Sequence, residues 1–200
     1  MTNLVGQHAA NFTAPTIMPD GSIEAVFDFN GYLAGNMGLL FFYSMDHGMV
    51  CATELIALNK RLEQFQERNV KVVAVSTDSF LSHQVWVQNS TKEGTIGKLG
   101  FPIASDAKRD ISETYGVLVN NAMSMRASFI LDAEGVVRYQ SMQDFAVGRN
   151  IDEYIRFIDA WQHHIHTGDV CQAGWKHNSP AIGAEDQYAS NFLSQYRELL

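Results

Sequence analysis

Two short apolar runs, separated by a helix-length segment, constrain the fold of this chain more than any other feature. Residues 70–75 are β-branched and nearly all apolar, which is typical of a buried parallel strand, and residues 39–43 form a second apolar run of strand length. Between the runs, apolar residues recur at helical spacing as far as about 68–69: Leu55, Ile56, Leu58, Leu62 and Phe65. The pattern predicts a β-α-β unit with its two strands parallel.

Antiparallel pieces and further helices are predicted on both sides of this unit. The predicted elements are a hairpin around a turn at 19–21, a helix from a cap at 76–78 to about 90, a loop at 91–100, a strand at 101–104, a helix near 107–115, a hairpin of 128–131 with 136–139, and a helix over about 150–163. This order is the thioredoxin arrangement. We therefore predict an α/β, thioredoxin-like domain at 1–163 and a carboxyl-terminal arm at 164–200.

Cys51 is one of only two cysteines, and it lies at the start of the helix predicted to follow the strand at 39–43. In open α/β sheets, chemistry gathers at the carboxyl ends of the strands. In the first turn of a helix, the positive end of the helix dipole and the free backbone N–H groups favour thiolate. Most lone cysteines are instead buried and pack as small hydrophobic residues, so that interpretation stands beside the reactive one.

Charge and composition exclude several classes of function. The net charge of −8 and the isoelectric point near 5.2, with no basic cluster longer than two residues, speak against nucleic acid or an anionic membrane as the main partner. The amino terminus has no basic flank or long apolar stretch, and no apolar run approaches the ~20 residues of a membrane span. We expect a cytoplasmic protein, in which two distant cysteines are catalytic or redox-sensing rather than a structural disulfide.

Five separated motifs, in order, carry a resemblance to a known family. They are Phe41-Phe42-Tyr43 with Asp46, Val50-Cys51 and Thr53-Glu54-Leu55; Val75-Ser76-Thr77-Asp78-Ser79; Ser82-His83 with Trp86; Arg126-Ala127-Ser128-Phe129; and Val170-Cys171 with Ala173 and Trp175-Lys176. With these motifs the chain resembles the peroxiredoxins, and more narrowly their typical two-cysteine, alkyl hydroperoxide reductase C branch. The resemblance implies a thioredoxin-like fold with peroxiredoxin insertions.

The same resemblance implies the roles of the two cysteines. Cys51 is the peroxidatic thiol that reduces hydrogen peroxide and small alkyl hydroperoxides, and Cys171 of a partner subunit resolves its sulfenic acid. Thioredoxin or a dedicated disulfide reductase then reopens the disulfide. The resemblance further implies a homodimer, assembled into a ring of five dimers, and no metal, flavin or haem in the chain itself. The histidines at 163, 164 and 166 lie near Cys171 in the sequence, but their spacing fits no standard metal site.

Thiolate chemistry calls for a cation beside Cys51, because an ordinary cysteine thiol is mostly protonated at neutral pH. Arg126 is the candidate, since the thioredoxin topology brings the strand that follows it beside the first helix. Glu54 lies one helical turn after Cys51, where its carboxylate can hold a guanidinium. Arg149 matches a second family arginine of the same ion-pair network, and a surface ion pair is the alternative for both Glu54 and Arg149.

The chain departs from the family at three positions around the cysteine. Ser44 and Ala52 stand where the family has proline, and Gly48 stands where it has a threonine whose hydroxyl binds the peroxide. Loss of a preorganised donor lowers the rate by roughly 10²–10³, although Ser44 offers a substitute hydroxyl. A weakened member acting as an oligomeric chaperone or redox sensor is therefore the alternative function. A thiol-disulfide oxidoreductase is disfavoured, because Glu54 occupies the second position of a Cys-x-x-Cys motif.

Overall fold

A computed structural model describes residues 3–88, 96–183 and 189–197 of the chain. The chain divides into two compact units, Met1–Ile151 and Asp152–Leu200. The predicted functional division between residues 163 and 164 stays a prediction.

The first unit is built on a seven-stranded mixed sheet. Its strands are β1 (Thr13–Ile17), β2 (Ile23–Asp28), β3 (Met37–Phe42), β4 (Val70–Ser76), β5 (Ile103–Ser105), β8 (Arg126–Leu131) and β9 (Val137–Gln143), in the spatial order β2-β1-β5-β4-β3-β8-β9. Strands β3, β4 and β5 are parallel to one another, and the outer pairs are antiparallel. The predicted thioredoxin-like α/β fold is confirmed.

The predicted β-α-β unit forms the middle of this sheet. Every residue of β3 is buried, and β4 is buried except at the half-exposed Lys71. The predicted single helix between them is interrupted: α2 (Met49–Lys60) and α3 (Leu62–Glu67) meet at Arg61, whose backbone is not helical. The interruption leaves Cys51 in the first turn of α2, as predicted from the sequence.

Both predicted hairpins are present, as β1 with β2 and β8 with β9. The following helix, α4 (Phe80–Gln88), begins after Ser79, whose Oγ accepts from the Ser82 N–H at 3.3 Å. The prediction that residues 76–78 cap this helix is therefore wrong, since Asp78 instead accepts from the Asp46 N–H. The predicted end of this helix and the first half of the predicted loop, residues 91–95, lie outside the described residues.

Shorter elements complete the first unit. Helix α5 (Asp110–Thr114) is a shortened form of the predicted helix near 107–115. Three elements have no counterpart in the sequence prediction: the one-turn helix α1 (Phe29–Leu33) and the small ribbon of β6 (Leu118–Val119) and β7 (Met123–Ser124).

The second unit consists of most of α6 (Ile151–Thr167) and the rest of the predicted arm, which includes α7 (Ala189–Tyr196). Helix α6 covers the first four residues of the predicted arm, 164–167. One face of α6 is buried, as its amphipathic pattern predicts, with Tyr154 and Ile158 nearly inaccessible. The arm folds back on this helix: Arg156 donates to the Trp175 carbonyl at 3.1 Å, and the Trp175 side chain is buried. In the described ranges, no helix combines the length and apolar character needed to cross a membrane.

Candidate active site

Cys51 lies in the first turn of α2, directly beyond the carboxyl end of β3. Gly48 is the N-cap residue of α2, and it has no side chain that could cap the helix. The thiol is 1% exposed, so burial alone fits the interpretation of an inert packing cysteine. The neighbours of the sulfur decide between the two interpretations.

Two polar side chains contact the Cys51 sulfur. Arg126 points its Nη1 at Sγ from 3.3 Å, and the Ser44 hydroxyl lies 3.2 Å from the same sulfur. Arg126 is held from its other side, because its Nε donates to the Phe145 carbonyl at 3.0 Å. Both side chains are buried, with Ser44 and Arg126 each 4% exposed. A packing cysteine has apolar neighbours, whereas this buried sulfur faces a guanidinium and a hydroxyl.

Glu54 holds both predicted arginines. Its Oε2 accepts from Arg126 Nη1 at 2.8 Å and from Arg149 Nη2 at 2.9 Å. Its Oε1 accepts from the backbone N–H and the Nε of Arg149, both at 2.9 Å. Every acceptor direction of the buried carboxylate is therefore used by Arg126 and Arg149, which fixes the position of the guanidinium that faces the sulfur.

Arg149 also ties the cluster to the sheet. Its Nη1 donates to the carbonyls of Phe42 and Ala127, both at 2.8 Å, and to the Ser128 hydroxyl at 3.0 Å. The guanidinium carbon lies 3.4 Å from the centre of the Phe41 ring. The alternative of a surface ion pair is wrong for Arg149, because 7% of the residue is exposed and it joins β3 to β8.

The charges of the buried cluster beside Cys51 do not cancel. Burial disfavours the ionised Glu54 carboxyl, but the hydrogen bonds and charge of Arg149, with the charge of Arg126, outweigh burial and hold the pKa of Glu54 below its usual value. Two guanidinium groups and one carboxylate leave one positive charge in excess.

A second buried network fastens the loop that precedes Cys51. The Asp46 carboxylate lies 2.8 Å from His83 Nδ1 and accepts from the Tyr43 hydroxyl at 2.7 Å. Burial opposes ionisation of Asp46, yet the hydrogen bond and charge of His83 outweigh it and lower the pKa of Asp46. Burial, followed by the charge of Asp46, raises the pKa of Tyr43 well above its usual value. This network was missed in the sequence analysis, where Asp46 and His83 appear only as parts of family motifs.

Cys171 belongs to the second unit. Its thiol is half-buried and donates to the Ala160 carbonyl at 3.5 Å, beside an open groove of about 400 Å³ lined partly by Phe157, Trp161 and His164. Burial, followed by the negative charge of Asp169, raises the pKa of the Cys171 thiol, which Arg156 partly offsets. The Cys171 thiol is accordingly protonated at neutral pH.

The histidines near Cys171 hold other partners. His164 Nδ1 lies 2.7 Å from the Asp169 carbonyl, His166 Nδ1 lies 2.6 Å from the Gln162 carbonyl, and His163 Nε2 is 3.5 Å from the Asp169 carboxylate. Within the described part of the chain, no group of three or more histidine, cysteine, aspartate or glutamate side chains is placed to hold a metal ion.

Comparisons with known proteins identify the family of the chain. Residues 5–140 match the model of the AhpC/TSA family. Alkyl hydroperoxide reductase C of Buchnera aphidicola from Acyrthosiphon pisum is 42% identical over 194 residues, which cover 96% of this chain and 98% of that protein. Alkyl hydroperoxide reductase C of Helicobacter pylori strain 26695 is 35% identical over 192 residues, covering 96% and 97% of the two chains.

Solved structures show the same similarity. The reduced 2-Cys peroxiredoxin of Plasmodium vivax superposes with a TM-score of 0.92 at 34% identity, covering 97% of this chain and all of that chain. The family match and the fold together confirm the resemblance drawn from the motifs around Cys51 and Cys171. The chain belongs to the AhpC/TSA family and is a peroxiredoxin.

Proposed function

We propose that Cys51 is the peroxidatic residue of a thiol-dependent peroxidase that reduces hydrogen peroxide and small alkyl hydroperoxides. One observation carries the proposal: the buried guanidinium of Arg126 lies 3.3 Å from the Cys51 sulfur and is held there by Glu54 at 2.8 Å. A fixed cation at this place favours the thiolate and attracts the oxygen atoms of a peroxide. Arg149 serves as a positioning residue, because it acts through Glu54.

The first step oxidises Cys51 by two electrons. The thiolate attacks one oxygen of the hydroperoxide, and the S–O bond forms as the O–O bond breaks. The sulfur becomes a sulfenic acid, and the second oxygen leaves as alkoxide or hydroxide. That leaving oxygen takes up a proton and departs as alcohol or water. Arg126 stabilises the negative charge that moves from sulfur to the leaving oxygen.

Cys171 of a partner subunit resolves the sulfenic acid in the proposed second step. Its sulfur displaces the hydroxyl group from Cys51, a disulfide forms and water leaves. The raised pKa of the Cys171 thiol supports this division of labour, because a protonated thiol attacks peroxide poorly. We assign residues 164–200 as the arm that carries Cys171 to the partner. The two electrons that reopen the disulfide come from the dithiol of thioredoxin or a dedicated reductase.

The proposed assembly is a homodimer, with five dimers in a ring, working in the cytoplasm. Exposed apolar side chains near the active-site loop support contact with another copy: Met45 is 42% exposed, Met49 86%, Leu81 58% and Val85 54%. The loop packs on α4, where the His47 and Trp86 ring centres lie 5.5 Å apart. A reducing compartment suits a cycle that starts from two free thiols.

Cys171→Ser tests the resolving role. The variant is expected to consume one equivalent of hydroperoxide per protomer and then stop, because its sulfenic acid has no thiol to condense with. Wild-type protein treated with peroxide should run as a disulfide-linked dimer on a non-reducing gel, and Cys171→Ser should not. Sustained thioredoxin-dependent turnover by Cys171→Ser would remove Cys171 from the cycle. An oxidised wild-type monomer with an internal disulfide would show that resolution occurs within one subunit.

The alternative function, a weakened member acting as an oligomeric chaperone or redox sensor, is separated by the same first turnover. If the protein is a peroxidase, micromolar peroxide should oxidise its Cys51 in the first turnover. If Cys171→Ser left that peroxide unconsumed, the peroxidase proposal would be rejected in favour of the alternative.

A further inference from the structure

The Ser44 hydroxyl is the second polar group at the Cys51 sulfur, at 3.2 Å. Ser44 stands where the family has proline, which carries no hydroxyl. In the described part of the chain, its hydroxyl has the Cys51 sulfur as its sole hydrogen-bond partner. The residue is 4% exposed, so bulk water does not compete for this contact. The hydroxyl is therefore committed to the sulfur.

The direction of this hydrogen bond follows from the state of the sulfur. A thiol can donate to the serine oxygen or accept from its O–H. A thiolate has no hydrogen, so Ser44 must donate once Cys51 is ionised. Hydrogen bonds to a charged acceptor are the stronger class, and one such bond shifts the thiol–thiolate balance by about ten- to a hundred-fold.

The backbone around Ser44 is held on both sides. The hydroxyl of Tyr43 donates to the Asp46 carboxylate, and that carboxylate lies 2.8 Å from the buried His83. The Asp46 N–H donates to Asp78 at 2.9 Å. Ser44 lies between these two anchored residues, so its hydroxyl is oriented before substrate arrives. This preorganisation is what makes a donor effective in catalysis.

Gly48 leaves the Cys51 sulfur without the hydroxyl donor of the family threonine, and the Ser44 hydroxyl can take that role. Gly48 replaces the family threonine and supplies no donor. A Cβ atom at Gly48 would lie 3.1 Å from the Cys51 sulfur and 3.3 Å from the Met45 carbonyl oxygen. A side chain at 48 would therefore require the sulfur and the loop to shift by a few tenths of an ångström. The Ser44 hydroxyl already contacts the sulfur without such a shift.

We propose that Ser44 is a catalytic residue whose hydroxyl donates to the Cys51 thiolate and replaces the side-chain donor that Gly48 lacks. The proposal rests on the proposed peroxidase function for its role in catalysis. Its hydrogen bond, however, is testable without any peroxide.

The test measures how the rate of Cys51 alkylation by iodoacetamide depends on pH, in a Cys171→Ser background. Ser44→Ala should move the midpoint of the profile to higher pH by about one to two units. A more basic thiolate is also more nucleophilic, with a Brønsted coefficient near 0.4–0.5. Alkylation of Ser44→Ala should therefore be roughly three- to tenfold slower than the parent below both midpoints and roughly three- to tenfold faster above them.

This crossing of the two profiles is the signature of a lost hydrogen bond. A structural disturbance of the pocket would change the rates in the same direction at every pH. Ser44→Thr, which keeps a hydroxyl, should restore the parent midpoint. Ser124→Ala is the matched control, because Ser124 is also fully buried and its hydroxyl lies 2.6 Å from Ser112 rather than at the sulfur. Ser124→Ala should leave the profile unchanged.

Stopped-flow oxidation by peroxide completes the test. If Ser44→Ala shifts the alkylation profile but the parent protein does not reduce peroxide, the hydrogen bond stands and the peroxidase function is wrong. If the parent reduces peroxide and Ser44→Ala leaves the alkylation profile unmoved, the peroxidase function stands and the assignment of Ser44 is overturned.

Discussion

Cys51→Ser is expected to reduce peroxide consumption to the background rate of the buffer. A serine hydroxyl is not ionised at neutral pH and forms no stable oxidised product with a peroxide, so the Arg126 contact has no nucleophile to activate. The measurement is the decay of micromolar hydrogen peroxide in the presence of thioredoxin, its reductase and the variant.

Two controls make this result specific. Cys171→Ser loses one thiol of the second unit but keeps Cys51, so it should still consume its single equivalent of peroxide. Circular dichroism should show that Cys51→Ser is folded, since serine is close in size to cysteine. Peroxide consumption by Cys51→Ser at the wild-type rate would place the peroxidatic chemistry elsewhere.

Glu54→Gln is expected to lower the free energy of unfolding by about 3–5 kcal/mol. The substitution removes the carboxylate that accepts from Arg126 and Arg149 and leaves two buried guanidinium groups without their counter-ion. The amide of glutamine also turns a donor toward guanidinium donors. Urea unfolding of reduced protein at pH 7, at equal protomer concentration, provides the measurement.

Glu153→Gln is the matched control for this substitution. Glu153 pairs with Arg156 at 2.7 Å, but its side chain is 40% exposed, so its removal should change stability by no more than about 1 kcal/mol. Equal losses in the two variants would mean that the Glu54 cluster is not a buried network that stabilises the fold.

The pH dependence of stability gives Glu54→Gln a second readout. The folded-state pKa of Glu54 is lowered, so its contribution is fully present above the unfolded value of about 4.3 and is lost as the pH falls through the folded value. The difference between wild type and Glu54→Gln should therefore shrink below about pH 4 and stay constant from about pH 5 to 7.

The parts of the fold that could be predicted from the sequence are those that local pattern determines. Strands β3 and β4 are buried on both faces, so their apolar runs are visible in the sequence alone. Cys51 at the start of α2 follows from its place after β3. The break at Arg61 was not predicted, because apolar residues continue at helical spacing on both sides of it.

The site shows the same limit of local pattern. Arg126 and Glu54 are far apart in sequence. Their proximity was predicted from the family motifs and from the need for a cation near a thiolate. The contact of Ser44 with the sulfur depends on the path of the loop after β3, which no periodicity encodes. The Asp46–His83 pair joins a loop to α4 through a contact between two side chains. Neither residue belongs to a local sequence pattern that predicts this contact.

The mass of the Cys51 peptide after a single turnover tests the peroxidatic role of Cys51 most directly. Reduced Cys171→Ser is mixed with one equivalent of hydrogen peroxide, treated with dimedone and digested with a protease. The peptide masses are then measured by mass spectrometry. One dimedone adduct is expected, on Cys51, in proportion to the peroxide consumed. Peroxide consumption with Cys51 recovered as the free thiol, or an adduct that persists in Cys51→Ser, would contradict the peroxidatic role of Cys51.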